Sequence, residues 1–400
     1  MKILQLTNKP PFPEKDGGSI AALSLTKGLA MNGHQVTVLS MSTLKHPLKP
    51  GDLPDELKQL AKFHLAEVPA AISIPGALCN LLFSRKPYHV DRFSSGHFAS
   101  VLTRLLKEEN YDVVQLEGLY LCSYIPVIRK HSNARIAYRA HNLEHEIWQR
   151  SAGHSTGFRK WYLRNLASRI RRYETGCLNQ YDLLIPITER DESMLNRLGN
   201  RKPSFVVPAG INFSRMTPGT SPCEALSLFH LGSLEWYPNQ EGLLWFVDHC
   251  WGHLRDRIPG IRFSVAGRGA PDWLIHRLSR DGILFDGEVE NAFAYMNSKA
   301  VMIVPLLSGS GMRVKIIEGM ALGKAIVSTT TGAEGIDVEH GKNILIADQP
   351  MAFVEQIQYL FSDHNRIIQL GEEAKSFIRE NYDFCAIARR LAQFYQNNLA

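Results

Sequence analysis

Three side chains within RAHNLEHEIW, residues 139–148, have the types and spacing of a metal site. His141, Glu144 and His145 follow the pattern His-x-x-Glu-His, which is that of the zinc-binding helix of inverted metalloproteases. This interpretation needs a helix across the whole motif, because only helical spacing places positions four apart on one face. The preceding run RIAYRA, residues 135–140, has instead the pattern of a strand. His141 is therefore predicted at the carboxyl end of a strand, with Glu144 and His145 beginning the next helix.

A second group of chemically capable residues lies in SGSGMRVKIIEGMALGKAIVSTTTGAEG, residues 308–335. Gly309 and Gly311 permit a tight turn. The helix predicted to begin near Met312 would point its free N–H groups at an anion. Arg313 and Lys315, in the first turn, oppose the helix dipole unless an anion such as a diphosphate lies between them. Glu318, five residues beyond Arg313, can accept from two neighbouring hydroxyls, as on a ribose. The alternative is an ordinary loop–helix junction with surface charges.

A similar glycine loop follows the first predicted strand, in NKPPFPEKDGGSIAALSLTKGLAMNGH, residues 8–34. Gly17 and Gly18 open a helix there. The spacing is not Gly-x-Gly-x-x-Gly, so a nicotinamide cofactor is poorly supported. A simple strand–helix turn is the alternative, but both halves of the chain place a glycine-opened helix after a strand.

The elements that must position these residues alternate between short apolar strands and longer helical segments, which indicates parallel sheets covered on both faces. A Pro-, Ser-, Thr- and Gly-rich run at 211–225 separates two such halves. We therefore expect two Rossmann-like domains facing each other across a cleft, with ligands at the carboxyl ends of the strands. Strands are predicted at 2–8, 34–40, 112–117, 135–140, 182–188 and 204–209, and at 226–232, 261–267, 283–287, 300–305, 325–329 and 343–347.

Composition excludes several classes of protein. The 400 residues are 44% apolar and 21% charged, without a run of 18 apolar residues, so no spanning helix is expected. The start MKILQLTNK lacks the features of a signal peptide, and the six cysteines form no CxxC pair, which indicates a cytoplasmic protein. A net charge of +6 is too mild to predict a nucleic-acid partner.

The motifs together resemble the retaining GT-B-fold glycosyltransferases of family four, which use nucleotide sugars. The resemblance covers most of the chain and depends on the order and spacing of several motifs: GGSIAALSLTKGLAMNGHQVTVLS, FVVPAGIN, HLGSLEWYPNQEGLLWF, VAGRG, FDGEVEN and the 305–335 segment. It implies an α/β fold in which residues 1–208 bind the acceptor and residues 209–383 bind the nucleotide sugar. The last helix, 384–400, would pack back on the N-terminal domain.

The resemblance also implies a set of site residues. Family members usually have two glutamates seven residues apart, of which the later matches Glu318 and would hold the ribose. The earlier position is Ser310 here, which leaves donor-sugar contacts to the backbone around it. A subgroup with Ser-Gly-x-Arg-x-Lys is more similar, and there Arg313 and Lys315 would hold the phosphates. The donor-binding residues implied are Gly17, Gly18, Val289, Ser310, Gly311 and Met312.

Two further residues are assigned by position at strand ends. In the family a histidine at the position of His141 contacts the donor sugar or shapes the catalytic centre, with a structural histidine or a zinc ligand as the alternatives. Glu117, in VQLEGLY, is a candidate for orienting the acceptor hydroxyl, and a structural turn carboxylate is the alternative. No Asp-x-Asp signature is present, so neither a metal nor another cofactor is expected.

The segment from Arg150 to Arg172 is strongly basic, with Trp161, Tyr162, Leu163 and Leu166 interleaved. It predicts either a basic amphipathic helix lying on the inner membrane face or a solvated helix face. Its seven cations, with no carboxylate among them, are at 150, 159, 160, 164, 169, 171 and 172.

The function predicted from the sequence is transfer of a sugar from a nucleotide sugar, such as a UDP- or GDP-sugar, to a glycan or lipid-linked acceptor. Such a reaction belongs to cell-surface polysaccharide or glycoconjugate synthesis. The alternatives are a sugar-nucleotide epimerase or phosphorylase of the same fold, and a non-catalytic nucleotide-sugar-binding protein.

Overall fold

The structure is a computed structural model that describes residues 1–14, 16–153, 155–213, 216, 222–309 and 312–399. The chain divides into two compact units. Unit 1 comprises Met1–Gly210 and Phe384–Ala400, and unit 2 comprises Ile211–Asp383.

Unit 1 is an α/β unit. Its strands are β1 (Lys2–Thr7), β2 (Gln35–Ser42), β3 (Lys62–Glu67), β4 (Val113–Glu117), β5 (Arg135–Ala140) and β6 (Leu183–Pro186). Its helices before residue 210 are α1 (Gly17–Met31), α2 (Asp55–Leu60), α3 (Ile74–Phe83), α4 (Tyr88–Asp91), α5 (Gly96–Glu108), α6 (Ile125–His131), α7 (Glu144–Gly153), α8 (Gly157–Cys177) and α9 (Glu189–Arg197), with 3₁₀ turns at Pro50–Asp52 and Leu119–Tyr124. The described strands form one parallel sheet in the order β3-β2-β1-β4-β5-β6.

Unit 2 repeats this plan. Its strands are β7 (Glu224–Leu231), β8 (Arg262–Ala266), β9 (Leu284–Gly287), β10 (Lys299–Val304), β11 (Ala325–Ser328) and β12 (Leu345–Ile346). Its helices are α10 (Tyr237–Phe246), α11 (Gly252–Arg257), α12 (Asp272–Arg280), α13 (Ala292–Asn297), α14 (Val314–Ala321), α15 (Thr330–Ala333), α16 (Pro350–Phe361) and α17 (His364–Asn381), with a π turn at Val247–Trp251. The described strands are again parallel, in the order β12-β11-β10-β7-β8-β9.

Both sheets are covered on both faces, as the continuous apolar strands predict. In β1, Ile3 packs into one core of unit 1, whereas Leu4 and Leu6 pack into the core on the opposite face. In β10, Val301 and Met302 divide in the same way between the two cores of unit 2. The prediction of an α/β fold with two Rossmann-like domains is confirmed.

The last helix of the chain, α18 (Phe384–Asn397), belongs to unit 1 and packs on α1. Gly28 makes the close approach possible, because a Cβ there would lie 2.7 Å from the Cβ of Ala388. Leu391 and Tyr395 of α18 are fully buried in the core beneath the sheet.

The sheets differ from the prediction in two places, with one predicted strand wrong and one strand missed. Residues 204–209 form no strand, although Phe205 and Val207 donate backbone hydrogen bonds to β6. Pro186 has no N–H to donate in return, so the ladder cannot continue. Strand β3 was missed because it is an edge strand in which only Ala66 is buried, so it lacks the apolar run of the inner strands.

Candidate functional site

Each sheet has one place where the strand order reverses, and ligands of open parallel sheets bind beside such a switch point. In unit 1 it lies between β1 and β4, and in unit 2 between β7 and β10. Most of the described residues that the sequence predicts as functional follow the strands that border these two places.

The switch point of unit 1 opens into a pocket of about 330 Å³, called here the unit 1 pocket. The loops after β1, β4 and β5 line it together with the first turn of α1. The lining residues that bear on the chemistry are Lys9, Asp16, Gly17, Gly18, Glu117, Tyr120, His141 and Glu144. The predicted residues Gly17, Gly18, Glu117 and His141 therefore share one pocket.

Helix α1 begins in this pocket because Asp16 caps it. The carboxylate of Asp16 accepts from the backbone N–H of Ser19 at 3.0 Å, and Lys9 Nζ donates to its two oxygens at 2.7 and 2.6 Å. Burial would raise the pKa of Asp16, but Lys9 and the hydrogen bonds from Ser19 hold it below its usual range. Lys9 and Asp16 thus form a salt bridge beside Gly17 and Gly18.

His141 follows β5 and is held by Glu117, which ends β4. Its Nε2 lies 2.5 Å from Glu117 Oε2. Burial would raise the pKa of Glu117, but Arg139 and His141 outweigh the effect of burial and lower this pKa to about 2. Because Glu117 is an ionised acceptor, a neutral His141 holds its proton on Nε2 and leaves Nδ1 as an acceptor.

Glu117 is saturated with donors. Gln5 Nε2 donates at 2.7 Å and Arg139 Nη1 at 3.3 Å, and Gln115 Nε2 donates as well. With His141 the carboxylate therefore has four partners, and it is 5% exposed. This arrangement supports a role in positioning His141 rather than the predicted contact with an acceptor hydroxyl.

The hydrogen-bond network around Glu117 includes a residue of the last helix, α18. Tyr395 OH donates to Gln115 Oε1 at 2.7 Å, so α18 is joined through Gln115 to Glu117. Thr26 Oγ1 likewise donates to Gln5 Oε1 at 2.5 Å. The pocket carboxylate is thus fixed by side chains from α1 and α18.

The residues of the His-x-x-Glu-His motif have separate partners. Tyr120 OH donates to Glu144 Oε2 at 2.7 Å, whereas His145 Nδ1 bonds to Glu174. Burial raises the pKa of Glu144 to about 7, although the Tyr120 hydroxyl opposes the shift. As predicted, His141 follows a strand and Glu144 begins a helix. In the part of the chain that the structure describes, no group of three His, Cys, Asp or Glu side chains could hold a metal ion.

The switch point of unit 2 holds Arg313 at the N-terminus of α14. The helix begins at Val314, so Arg313 is its N-cap residue and, contrary to the prediction, lies before the first turn. Its guanidinium lies over the Trp236 ring, 5.2 Å from the centroid. Gly309, with φ of 113°, permits this approach, because a Cβ there would lie 2.8 Å from the Trp236 ring and 2.9 Å from Arg313 Nη2.

Lys315 lies in the first turn of α14 and points into the sheet end. Its Nζ donates to Asn239 Oδ1 at 2.9 Å and lies 3.4 Å from His230 Nε2. Burial and the nearby Arg313 lower the pKa of Lys315 to about 7. Gly232 leaves room for this ammonium, because a Cβ there would lie 3.1 Å from Nζ.

His230 is fully buried at the end of β7 and lies within hydrogen-bonding distance of the Ile303 carbonyl, with Nδ1 3.1 Å from that oxygen. If Nδ1 holds the proton, Nε2 faces Lys315 as an acceptor. Burial and Lys315 hold the pKa of His230 well below its usual range. The only charge in this pair therefore belongs to Lys315.

Three other predicted donor residues belong to unit 2. Glu318 is three positions beyond Lys315 on α14, so the two side chains share a helix face. Met312 immediately precedes Arg313, and Val289 follows β9 at the carboxyl edge of the same sheet. Ser310 and Gly311 lie outside the described residues.

Sequence reasoning missed His230, Asn239 and Trp236 in unit 2, and Lys9 and Tyr120 in unit 1. A polar residue at the end of an apolar strand, as in LSLFHLG, could have indicated His230. The partners of Lys315 lie more than 70 residues away in sequence, and only the fold brings them together.

The basic segment forms parts of α7 and α8, and its cations do not share one face. Arg169 is buried, and Arg150 pairs with Glu146 at 3.1 Å. Arg159, Arg164 and Arg171 are exposed. None of the helices that the structure describes combines the length and the hydropathy needed to cross a bilayer.

Comparison with known proteins agrees with this architecture. A family model described as Glycosyltransferase Family 4 matches residues 15–215, and one described as Glycosyl transferases group 1 matches residues 225–363. An uncharacterised 44.6 kDa protein in the cps region of Klebsiella pneumoniae is 22% identical over 407 residues, which is 96% of each chain.

Two solved structures are similar over nearly their whole length. HepE from Anabaena, in complex with UDP, has a TM-score of 0.71 at 15% identity and covers 99% of this chain and 100% of its own. Sucrose-phosphate synthase from Thermosynechococcus elongatus has a TM-score of 0.72 at 15% identity, covering 99% of each chain.

Proposed function

The chain belongs to glycosyltransferase family 4, and on this premise we propose that it transfers a sugar, with retention, from a nucleotide sugar to a glycan or lipid-linked acceptor. It is a glycosyltransferase with two Rossmann-like units of the GT-B fold. The observation that supports the finer proposal best is the pair Arg313 and Lys315 at the N-terminus of α14.

These two cations suit a diphosphate. Lys315 is held beside Asn239 and His230, neither of which offers it a negative charge, and burial penalises its ammonium. A diphosphate would supply the missing charge, and the N-terminal N–H groups of α14 would donate to the same oxygens. The guanidinium of Arg313, fixed over Trp236, would add a planar donor pair.

The nucleoside is assigned to the residues on either side of this pair. Glu318 would accept from the ribose hydroxyls, and Val289 would lie beside the base. We propose UDP as the nucleotide because HepE, which has a similar fold, was solved with UDP.

We assign the sugar and acceptor chemistry to the unit 1 pocket. His141, oriented by Glu117, would contact a sugar hydroxyl through Nδ1. Gly17 and Gly18 at the start of α1 would let a ligand approach the backbone closely. The location of the Klebsiella relative in a cps region supports an acceptor used in cell-surface polysaccharide synthesis.

The proposed reaction needs little covalent chemistry from the protein. The glycosidic bond to the diphosphate breaks as the acceptor oxygen forms its bond on the same face of the sugar. The leaving phosphate can take the acceptor proton, so stabilisation of the departing charge by Arg313 and Lys315 would provide most of the acceleration. No metal is assigned a role, and we expect turnover to survive chelation with EDTA.

The proposal is tested by incubating the protein with UDP-sugars and measuring UDP release with and without glycan acceptors. Release that depends on an acceptor, together with an α-linked product from an α-linked donor, supports retaining transfer. A β-linked product would overturn retention, and an epimerised nucleotide sugar without UDP release would overturn transfer.

The exposed cations of α8 support a peripheral position on an anionic membrane face, where a lipid-linked acceptor would be presented. Arg159, Arg164 and Arg171 face solvent on this helix. Each basic residue near such a surface adds about 1 kcal/mol of attraction at most.

A further inference from the structure

Helix α3 of unit 1 has its apolar face turned outward. A helix of a globular domain ordinarily buries its apolar stripe against the core. In α3 the only buried residue is Asn80, a polar one. Its large apolar side chains repeat at helical spacing on the solvent side, and their exposed fractions are 76% for Ile74, 44% for Leu78, 73% for Leu82 and 83% for Phe83.

Polar contacts, rather than apolar packing, hold α3 in place. Arg169 of α8 is buried and donates to three carbonyls at the end of α3, those of Asn80 at 3.3 Å, Ser84 at 2.5 Å and Lys86 at 2.7 Å. Asn80 Nδ2 donates to Asp91 at 3.1 Å. The outward apolar face is therefore not needed to attach the helix to unit 1.

Helix α8, whose Arg169 contacts the end of α3, also carries exposed aromatic side chains. Phe158 and Trp161, in its first turns, are 68% and 52% exposed, and their ring centroids are 5.3 Å apart. Arg164 and Arg171 follow at i+3 and i+10 from Trp161, so these three residues lie along one outward side of the helix. Aromatic rings next to arginines are typical of the water–bilayer interface.

The segments that form this region are rich in cations, although the exposed Asp91, which accepts from Asn80 of α3, lies beside them. Residues 68–90 and 155–173, which contain α3 and most of α8, include eight Lys or Arg residues and no Asp or Glu. A surface that is apolar and predominantly cationic is complementary to an anionic bilayer, whose headgroups attract the cations while its interior accepts the apolar side chains.

We propose that α3 and the outward face of α8, together the α3–α8 surface, dock on an anionic phospholipid bilayer, with the apolar face of α3 inserted among the lipids. This goes beyond the electrostatic contact of α8 alone, because α3 supplies an anchor that high salt would not remove. The outward rows of α3 resemble an interfacial helix that lies in the membrane plane.

The surface is joined to the unit 1 pocket by a short chain of contacts. Tyr88 OH donates to the Ser73 carbonyl at the start of α3, at 3.1 Å. Phe93, just beyond α4, stacks on Tyr120 at 5.4 Å, and Tyr120 lines the pocket. A lipid-linked acceptor would thus be presented beside the pocket. That purpose rests on the proposed function, whereas bilayer binding is measurable without it.

The test is co-sedimentation of the full chain with vesicles of phosphatidylcholine alone or mixed with phosphatidylglycerol. We expect binding to the mixed vesicles, with a fraction that survives high salt. The double variant Leu82→Ser, Phe83→Ser should lower the partition coefficient at least about tenfold, because two apolar side chains no longer enter the lipid. Leu44→Ser, at a side chain that is 77% exposed elsewhere in unit 1, should leave it unchanged.

A charge variant separates electrostatic attraction to the vesicle from insertion of apolar side chains into it. Arg164→Glu with Arg171→Glu should reduce binding at low salt and have little effect on the salt-resistant fraction, whereas Lys45→Glu, at an exposed position that belongs to neither α3 nor α8, should change neither. The thermal midpoints of all variants should match that of the unaltered protein, since the substituted side chains face solvent.

Three results would overturn the proposal. The first is no binding of the unaltered protein to either kind of vesicle, and the second is binding that Leu82→Ser, Phe83→Ser does not weaken. The third is a protein that does not bind vesicles and forms a dimer, seen by light scattering, that the same double variant abolishes. UDP binding in solution, measured on the same preparations, distinguishes this failure from that of the proposed function. Vesicle binding without UDP binding would leave the α3–α8 surface standing and reject the donor assignment.

Discussion

The two switch points share one topology and have opposite chemistry. In unit 1 the carboxylates of Asp16, Glu117 and Glu144 line the same pocket as His141, whereas in unit 2 the two cations Arg313 and Lys315 lie at the start of α14. The same strand order therefore provides, in one unit, a pocket suited to hydroxyl groups and, in the other, a site suited to phosphate.

The difference extends to how each charge is satisfied. Glu117 is ionised with a pKa of about 2 because protein donors already surround it, above all Arg139 and His141. Lys315 has neutral partners and a pKa lowered to about 7 by burial and Arg313. Glu117, whose charge is paired within the protein, can position His141. Lys315, whose hydrogen-bond partners are neutral, is suited to bind an anion that the ligand brings.

The largest effect is expected from removing the cations of unit 2. Arg313→Ala or Lys315→Ala should lower transfer by roughly 100-fold or more, because the leaving diphosphate loses a charged donor. Glu318→Ala should raise the KM for the donor by loss of the ribose contact. Initial rates of UDP release measure all three, and Lys342→Ala, an exposed cation of unit 2, is the matched control. Full activity in Arg313→Ala and Glu318→Ala would reject the donor site.

The next effect concerns His141 and its positioning residue. His141→Ala should lower kcat by about 10- to 100-fold with the affinity for UDP unchanged. Glu117→Gln should lower kcat less and alter its pH profile, because the amide no longer fixes the proton on Nε2. Tyr395→Phe should have a small effect in the same direction. A loss of UDP affinity in these variants would contradict the separation of roles.

The pH dependence of UDP binding tests the state of Lys315. Because its pKa is lowered to about 7 in the free protein and an anion raises it, binding should take up a proton above that pH. Affinity should then fall as pH rises above 7, by at most about tenfold per unit. Calorimetry in buffers of different ionisation enthalpy measures the uptake, and Lys315→Arg should abolish it. A pH-independent affinity between 7 and 9 would show that Lys315 is already charged.

The smallest effect is on stability and concerns Glu144. Its pKa is raised to about 7, so the folded protein retains a proton that the unfolded chain loses above its ordinary value of 4.5. This group therefore makes stability fall as pH rises from 4.5 through 7. Glu144→Gln should raise the thermal midpoint by a few degrees at pH 8 (about 1–2 kcal/mol) and leave it unchanged at pH 4.5. An equal shift at both pH values would assign the effect to packing.

Much of the fold could be predicted from sequence because apolar strands and glycine-opened helices are local features. RIAYRA was placed at its observed bounds, and the helix opened by Gly17 begins where predicted. Strand β3 was not predicted because an exposed edge strand lacks a continuous apolar run. The strand predicted at 204–209 does not form because its neighbour β6 contains Pro186, which has no N–H to donate.

The site was predictable only in part, for the same reason. Arg313 and Lys315 were indicated by their position at the start of a predicted helix, which is visible in the sequence. The partners of Lys315 were not, because His230 and Asn239 lie on β7 and α10 and reach it only through the sheet order. The hydrogen bond between His141 and Glu117 likewise depends on two neighbouring strands ending together, and it changes the role inferred for Glu117 from acceptor contact to support.

The most direct test of this division of roles is the affinity for UDP of the unaltered protein, Arg313→Ala and His141→Ala, measured by calorimetry under identical conditions. We predict that Arg313→Ala weakens binding by roughly 100-fold, as expected for loss of a charge-assisted donor pair, while His141→Ala stays within about twofold. Equal losses in the two variants, or unchanged binding in Arg313→Ala, would contradict it.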